Sequence, residues 1–419
     1  MKNIKFRLTI MNFLQYAVWG SYLTSMGRYL GGIGLAEKIG IFYAVQGIVS
    51  LFMPALVGII ADRWIQAQRM LGLCHTLAAV FAGLTALYGA GAMGAVEFTP
   101  LFSLYTLSVA FYMPTIALSN SVAYNLLERA GMDTVKAFPP IRVWGTVGFI
   151  CAMWVVSLAE WKLESTQMLL SAIIGVVLGL YCFTLPSCEV NRNVKAKSWI
   201  DTLGLRAFSL FKEKKMAIFF LFSMMLGMSL QITNAFADGY IKSFGDVSVH
   251  GEQYLNTFGV KHSTILISLS QISETLCILL IPFCLKKFGI KNVMLISMFA
   301  WVLRFGLLGA GDPGAGVWMF VLSMIVYGVA FDFFNISGSL YVDKETAPEI
   351  RASAQGVFMI MTNGFGAFIG SYVAGAVVDK WAWPNSWYIF AGYALVVAIL
   401  FALVFKYKHN PQENLKATH

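Results

Sequence analysis

Polar residues are too sparse along this chain to mark one face of a surface helix or alternate faces of a strand. Apolar residues run on for about 20 positions at a time, the length an α-helix needs to cross a hydrocarbon core. Twelve such runs can be placed. The first six fall at about Leu8–Met26, Phe42–Ala61, Met70–Ala90, Leu101–Leu126, Ile141–Leu158 and Gln167–Leu185. The second six fall at about Met216–Phe236, Ser263–Leu285, Val293–Gly311, Val317–Tyr341, Ala352–Val378 and Trp387–Phe405. Between the sets, Ser187 to Lys215 is polar and rich in positive charge, with Arg192, Lys195, Lys197, Arg206, Lys212, Lys214 and Lys215. The expected fold class is therefore an all-α membrane protein of twelve transmembrane helices in two six-helix bundles. The expected parts are a first bundle over 1–186, a cytosolic linker over 187–215, a second bundle over 216–408 and a cytosolic tail over 409–419.

Composition removes the soluble alternatives. Hydrophobic residues make up 58 % and charged residues 12 % of the 419, with a mean hydropathy of +0.70; so few charges cannot cover a water-facing surface. The net charge of +9 would otherwise point to an acidic polymer. Sorted by position, 22 of the 30 Lys and Arg residues fall on the segments that are cytosolic if the N-terminus is cytosolic. Six fall on the other side and two, Arg142 and Arg304, fall within spans. The positive-inside rule then places both termini in the cytosol, and no nucleic acid is needed to explain the charge. The basic N-terminus imitates a signal peptide but lacks a clear cleavage site, so the first helix is expected to be retained. The six cysteines show no CxxC or metal-ligand spacing and read as apolar fillers, so neither a metal nor a cofactor is expected.

A six-plus-six layout with a central linker is the plan of the major facilitator superfamily. The loop expected after the second span, Gly58-Ile-Ile-Ala-Asp62-Arg63, partly matches that superfamily's G-x-x-x-D-[RK] signature. The equivalent loop in the second half, Lys286 to Asn292, keeps only the positive charge.

An ionisable group near mid-membrane costs about 2.5–3.5 kcal/mol on insertion scales, so each one calls for a reason. The acidic residues deep in spans are Glu274 and Asp332; Arg142 and Arg304 join them, and His75 is the one intramembrane histidine. Helical spacing sorts the other polar groups onto faces. Gln231 and Asn234 share a face of the seventh span, and Gln271 and Glu274 share a face of the eighth. Arg142, Thr146 and Phe149 line up on the fifth. The tenth offers Tyr327 and Phe331, with Asp332 and Asn335 beside them. Gln15 and Trp19 lie four apart on the first, and the fourth carries Tyr112, Asn120 and Tyr124. Each amide reads equally as a helix-to-helix hydrogen bond. Together the set suits a ligand with neutral hydrogen-bonding groups and a flat ring, which leaves sugars, nucleosides and similar solutes open.

Six segments make the pattern more specific: NFLQYAVWGSYLTSMG (Asn12 to Gly27), FPPIRVWGTVGF (Phe138 to Phe149), KKMAIFFLFSMMLGMSLQITN (Lys214 to Asn234), SQISETL (Ser270 to Leu276), SMIVYGVAFDFFNISGS (Ser323 to Ser339) and IRASAQGVFMIMTNGFG (Ile350 to Gly366). Through these the chain resembles the bacterial nucleoside:proton symporters of the major facilitator superfamily. The resemblance implies inward, proton-coupled carriage of nucleosides across the bacterial inner membrane by a monomer in the lipid bilayer. It implies nucleoside contacts at Arg142, Thr146, Phe149, Gln231, Asn234, Gln271, Glu274, Tyr327 and Phe331. Alternating access would rock the two halves around a mid-membrane site. The proton-coupling carboxylate is expected to be Asp332, with Glu274 second and Arg304 as a partner of Asp332. Arg304 and Asp332 read alternatively as a permanent ion pair. A sugar or oligosaccharide:proton symporter is the alternative function; a membrane-embedded enzyme is disfavoured, because clustered acidic or histidine residues at membrane-edge loops are missing.

Overall fold

The computed structural model describes residues 3–91, 96–132, 134–188, 205–346 and 351–407, without the side chains of 51, 55, 58, 59, 62, 63, 134–136, 139, 205–207, 343 and 351–353. Most of the expected linker and the whole tail over 409–419 lie outside the described residues. All regular structure among the described residues is helical. Among the described residues, ten helices are long and apolar enough to cross a membrane. Large apolar side chains on them face outward, Leu279 at 75 % and Leu403 at 69 % exposure among them, as only lipid can accommodate.

The chain divides into two compact units, Met1–Leu203 and Gly204–His419. In the first, the spans are α1 (Ile4–Gly20), continued after a turn by α2 (Met26–Gly32), then α3 (Ile39–Arg63), α4 (Ala67–Gly91), α5 (Phe98–Arg129), α6 (Thr134–Leu158) and α7 (Thr166–Thr184). In the second they are α8 (Lys214–Ser243), two four-residue helices α9 (Val247–His250) and α10 (Phe258–Lys261), then α11 (Ser263–Ala310) and α12 (Val317–Glu345). The next span runs as α13 (Arg351–Met359), a π-helical segment over Ile360–Gly366, and α14 (Ala367–Trp381); α15 (Asn385–Val404) closes the unit.

Three expectations are corrected here. The first span is not one helix through Met26. Its α-helix stops at Gly20, where the Ser21 hydroxyl donates to the Ala17 carbonyl at 2.8 Å. Such a bond back to the preceding turn loosens a helix, and the backbone bonds of Tyr22 and Ser25 shorten to three-residue steps. The segment Gly58 to Arg63 is not a loop but the last turns of α3, and the side chains of Gly58, Asp62 and Arg63 lie outside the described residues. Lys286 to Asn292 is not a loop either. The helix is interrupted there only at Gly289, with φ 76 and ψ 165, a conformation that glycine adopts without strain. Residues 263–288 and 290–310 thus form two arms.

Each unit packs its spans by the same scheme. In the first, α1 packs on α6, α3 and α4 both pack on α5, and α4 packs on α7. In the second, α8 packs on the π segment and α14, and α11 packs on α12 and α15. Both arms of α11 meet α12: Ser273 in the first donates to the Ile325 carbonyl, and Ser297 in the second to that of Ala330. Lys291 and Gly309 carry the second arm onto α15. No residue-level repeat announced this correspondence.

Glycines set the closest approaches, as small residues do where helices pack without a hydrophobic driving force. A Cβ at Gly148 would collide with the Phe13 carbonyl, and one at Gly227 with the Thr362 carbonyl. Outside the spans, the Asp246 side chain caps α9 by accepting from Ser248 N–H at 2.9 Å and its hydroxyl at 2.6 Å. These bonds hold its carboxyl below the usual aspartate range.

Replacing Gly148 or Gly227 by Val is expected to destabilise the protein by about 1–3 kcal/mol through overpacking. Gly392→Ala, with nothing within 4 Å of the added carbon, is expected to leave stability unchanged. Thermal unfolding in detergent reads the difference, and a Gly148→Val protein that melts like the parent would refute the close-packing argument.

Candidate functional site

In the first unit the polar groups of α1 do not face lipid; they close a buried chain of hydrogen bonds. The Thr115 hydroxyl donates to the Tyr112 carbonyl at 2.5 Å and accepts from the Gln15 amide nitrogen at 2.7 Å. Gln15 Oε1 is then left facing His75 Nε2 at 2.6 Å. Because that oxygen can only accept, His75 must carry a proton on Nε2. Its Nδ1 is buried without a hydrogen-bond partner, as is Asn12 Oδ1. The Tyr112 hydroxyl ties the knot by donating to the Gln15 carbonyl at 2.8 Å.

One turn along α1, the Trp19 N–H donates to Gln46 Oε1 at 3.2 Å, and Gln46 donates to the Tyr105 hydroxyl at 2.9 Å. The Trp19 ring stands edge-on to Phe149, with centroids 6.2 Å apart. On α6 the half-buried Arg142 lays its guanidinium on the Tyr16 ring, 3.8 Å from the centroid. Gly145 leaves room for both. Arg142, Thr146 and Phe149 therefore sit on the α6 side that meets α1, and Gln15 and Trp19 belong to the same neighbourhood. Asn120 is half-buried, with its Oδ1 buried and unpartnered, whereas Tyr124 is exposed and packs on Phe138.

In the second unit an aromatic column runs along α12. Tyr327 and Phe331 stack at 5.8 Å, and Trp301 of α11 meets Tyr327 edge-on at 6.1 Å. Asp332 is 3 % exposed with Oδ2 unpartnered. Gln231 and Gln271 likewise bury amide oxygens that no hydrogen bond reaches. Asn234 and Glu274 are half-buried. Glu274 and Asp332 are close enough for each to feel the other's charge, and both act on Tyr327. A proton arriving at either carboxylate changes the field at the other.

The pairing of Arg304 with Asp332 is corrected. The guanidinium donates to the Ser323 carbonyl at 2.6 Å, touches Met324 Sδ at 3.8 Å and lies 4.6 Å from the centroid of the Tyr327 ring. Ser323 is nine residues before Asp332, about 14 Å along the helix. No hydrogen bond or ion pair joins Arg304 to Asp332 among the described residues. A carbonyl and an aromatic face have taken the place of the carboxylate.

A model of the family described as "Nucleoside H+ symporter" matches residues 1–410. The chain belongs to the nucleoside H+ symporter family. It is 48 % identical to nucleoside permease NupG of Escherichia coli and 47 % identical to xanthosine permease of the same organism. The alignments cover 97 % of both chains in the first case and 98 % in the second. A crystal structure of a mutant of nucleoside transporter NupG superimposes with a TM-score of 0.90 at 47 % identity, over 96 % of this chain and 100 % of that one. The xylose transporter XylE of E. coli, at 11 % identity and TM-score 0.63 over 97 % of this chain and 100 % of that one, shares the fold. These matches agree with the resemblance carried by the six segments. The protein is a multi-pass membrane transporter of the major facilitator type and not an enzyme.

Spacing along single helices found the family member's polar faces but not the contacts between them. Thr115, Gln46 and Tyr105 gave no signal in sequence, since each has a partner more than 25 positions away. Asp238 lies beyond the expected seventh span, yet it is 3 % exposed and accepts from Ser263 and Thr264 at 2.7 Å each, at the start of α11.

Gln15→Leu strands the His75 N–H and the amide-accepting oxygen of Thr115, which is expected to cost about 1–3 kcal/mol. Adding His75→Phe removes the stranded donor and is expected to recover part of the loss. Unfolding midpoints of the single and double variants decide it; a Gln15→Leu protein as stable as the parent would show that the chain of bonds contributes nothing.

Proposed function

We propose that the protein imports nucleosides with protons across the bacterial inner membrane, with twelve spans in two six-helix bundles and both termini in the cytosol. The family match over residues 1–410 carries the substrate class. Two relatives near half identity, one named for nucleosides and one for xanthosine, support it. Of the 30 basic residues, 22 fall on one side of the spans and six on the other, which supports the orientation.

Arg142, Thr146 and Phe149 of the first unit and Gln231, Asn234, Gln271, Glu274, Tyr327 and Phe331 of the second are the proposed nucleoside contacts. Their support is physical. A buried amide oxygen without a partner loses stability that a bound hydroxyl or N–H would restore, and Gln231 and Gln271 are in that state. Stacked Tyr327 and Phe331 offer a face to a planar base, and the Glu274 carboxylate suits ribose hydroxyls.

Asp332 is the proposed proton carrier, with Glu274 coupled to it by charge. Arg304 acts on them through Tyr327 as a fixed positive neighbour rather than as an ion-pair partner. Alternating access converts the proton gradient into accumulation. Each pH unit supplies about 1.4 kcal/mol per proton, and each 100 mV of membrane potential about 2.3 kcal/mol.

Proteoliposome uptake of a nucleoside panel, with and without an imposed proton gradient, tests the function. Gradient-driven accumulation that adenosine competes and a galactoside does not is expected; no nucleoside uptake by the parent protein overturns the reading. Asp332→Asn is expected to abolish uphill accumulation and keep counterflow exchange, and unchanged pH-driven uptake would exclude Asp332 as the carrier. Glu274→Gln is expected to weaken uridine affinity, with equal affinity removing Glu274 from the site.

A further inference from the structure

Arg142 stands in a span, where a guanidinium ordinarily finds a carboxylate or a backbone carbonyl. Arg304 of the second unit takes a carbonyl in this way. Arg142 takes neither: among the described residues no hydrogen bond or ion pair engages it. Its neighbour is instead the ring of Tyr16, whose centroid lies 3.8 Å from the guanidinium carbon. That is van der Waals contact, and the distance fixes how the group lies. Pointed at the ring by one nitrogen, the guanidinium would hold its carbon about 1.3 Å farther away. It rests flat on the ring face.

The ring itself is held in place. Tyr16 is 7 % exposed on α1, where α1 and α6 approach each other closely on either side of it. A Cβ at Gly148 would collide with the Phe13 carbonyl, and one at Gly20 with the Phe149 carbonyl. Phe13 and Gly20 lie about one turn before and one turn after Tyr16. Between these contacts Gly145 of α6 seats both groups. A Cβ there would come within 2.6 Å of Tyr16 Cδ2 and 2.9 Å of Arg142 Nη1. Ring, guanidinium and the Gly145 backbone are packed together without room for a methyl group.

We propose that Tyr16 and Gly145 are positioning residues that hold Arg142 flat and present its N–H edge to the nucleoside. The inference rests on Arg142 being a nucleoside contact. All five N–H donors lie in the guanidinium plane, so a stack covers a face and leaves the edge unused. An ion pair would have occupied that edge and cancelled the charge. The ring does neither. A long side chain ordered before the cargo arrives loses less freedom on binding. The planar fork takes two acceptors at once, and the carbonyls, ring nitrogens and ribose oxygens of a nucleoside supply them.

Equilibrium binding of uridine to the purified protein, followed by calorimetry, reads the effect apart from the transport cycle. Tyr16→Leu removes the ring face and is expected to weaken binding by roughly tenfold. Tyr16→Phe keeps the face and is expected to recover most of that loss. A general loosening of the α1–α6 contact would weaken binding too, and a double-mutant cycle separates the two causes. An Arg142→Gln background has no cation to position, so Tyr16→Leu is expected to change affinity there by less than about twofold. The same fold loss in both backgrounds overturns the proposal. Parent affinity in Tyr16→Leu does so as well, and so does a Tyr16→Phe protein that recovers nothing. If Tyr16→Leu does not fold, Gly145→Ala, which pushes on both groups, takes its place in the cycle. Parent affinity in Arg142→Gln removes Arg142 from the nucleoside site, and the proposal falls with it. A parent protein that binds no nucleoside refutes instead the reading of the cargo.

Discussion

A polar group inside the bilayer has no water to fall back on, and this one constraint organises the molecule. Its partner must come from the protein or from what the protein carries. In the first unit Gln15, Thr115, Tyr112 and His75 close on one another, and Trp19, Gln46 and Tyr105 do the same a turn away, while Asn12, His75 and Asn120 each keep a buried atom without a partner. In the second unit the accounts stay open. Gln231, Gln271 and Asp332 each bury an oxygen that no hydrogen bond reaches.

Arg304 shows how that constraint chooses among partners. From sequence, a buried arginine and a buried aspartate on adjacent spans invite pairing. The helix rise puts them at different depths, and the arginine takes a carbonyl and an aromatic ring instead. Cation–π contact with a desolvated ring is worth roughly as much as many ion pairs, and it leaves the carboxylate unneutralised. A carboxylate already locked to a guanidinium would be a poor proton carrier, so the absence of that bond suits Asp332 to the task.

How much was legible follows from the range of each signal. Span positions came from local hydropathy, and most helix ends moved by only a few residues. Two breaks were missed because they depend on local backbone detail, a serine bonding backward at Ser21 and the widened turn around Thr362, whereas the break at Gly289 falls between two expected spans. Faces such as Gln231 with Asn234 follow from the 3.6-residue period and needed no structure. Their neighbours did, because contacts such as His75 with Gln15 join positions 60 apart. The common packing scheme of the two units was equally hidden, since it is preserved in which helices touch and not in which residues recur.

The π segment has a consequence for the gene as well as for the protein. An ordinary membrane helix cannot gain or lose one residue without rotating everything beyond the change by about 100°. A widened turn is different, for it already holds a residue more than the α-helical path requires. Deleting one position between Ile360 and Gly366 would tighten the turn to α and leave α14 facing as before. Of all the described transmembrane segments, this one can change in length without scrambling the face it shows its neighbours.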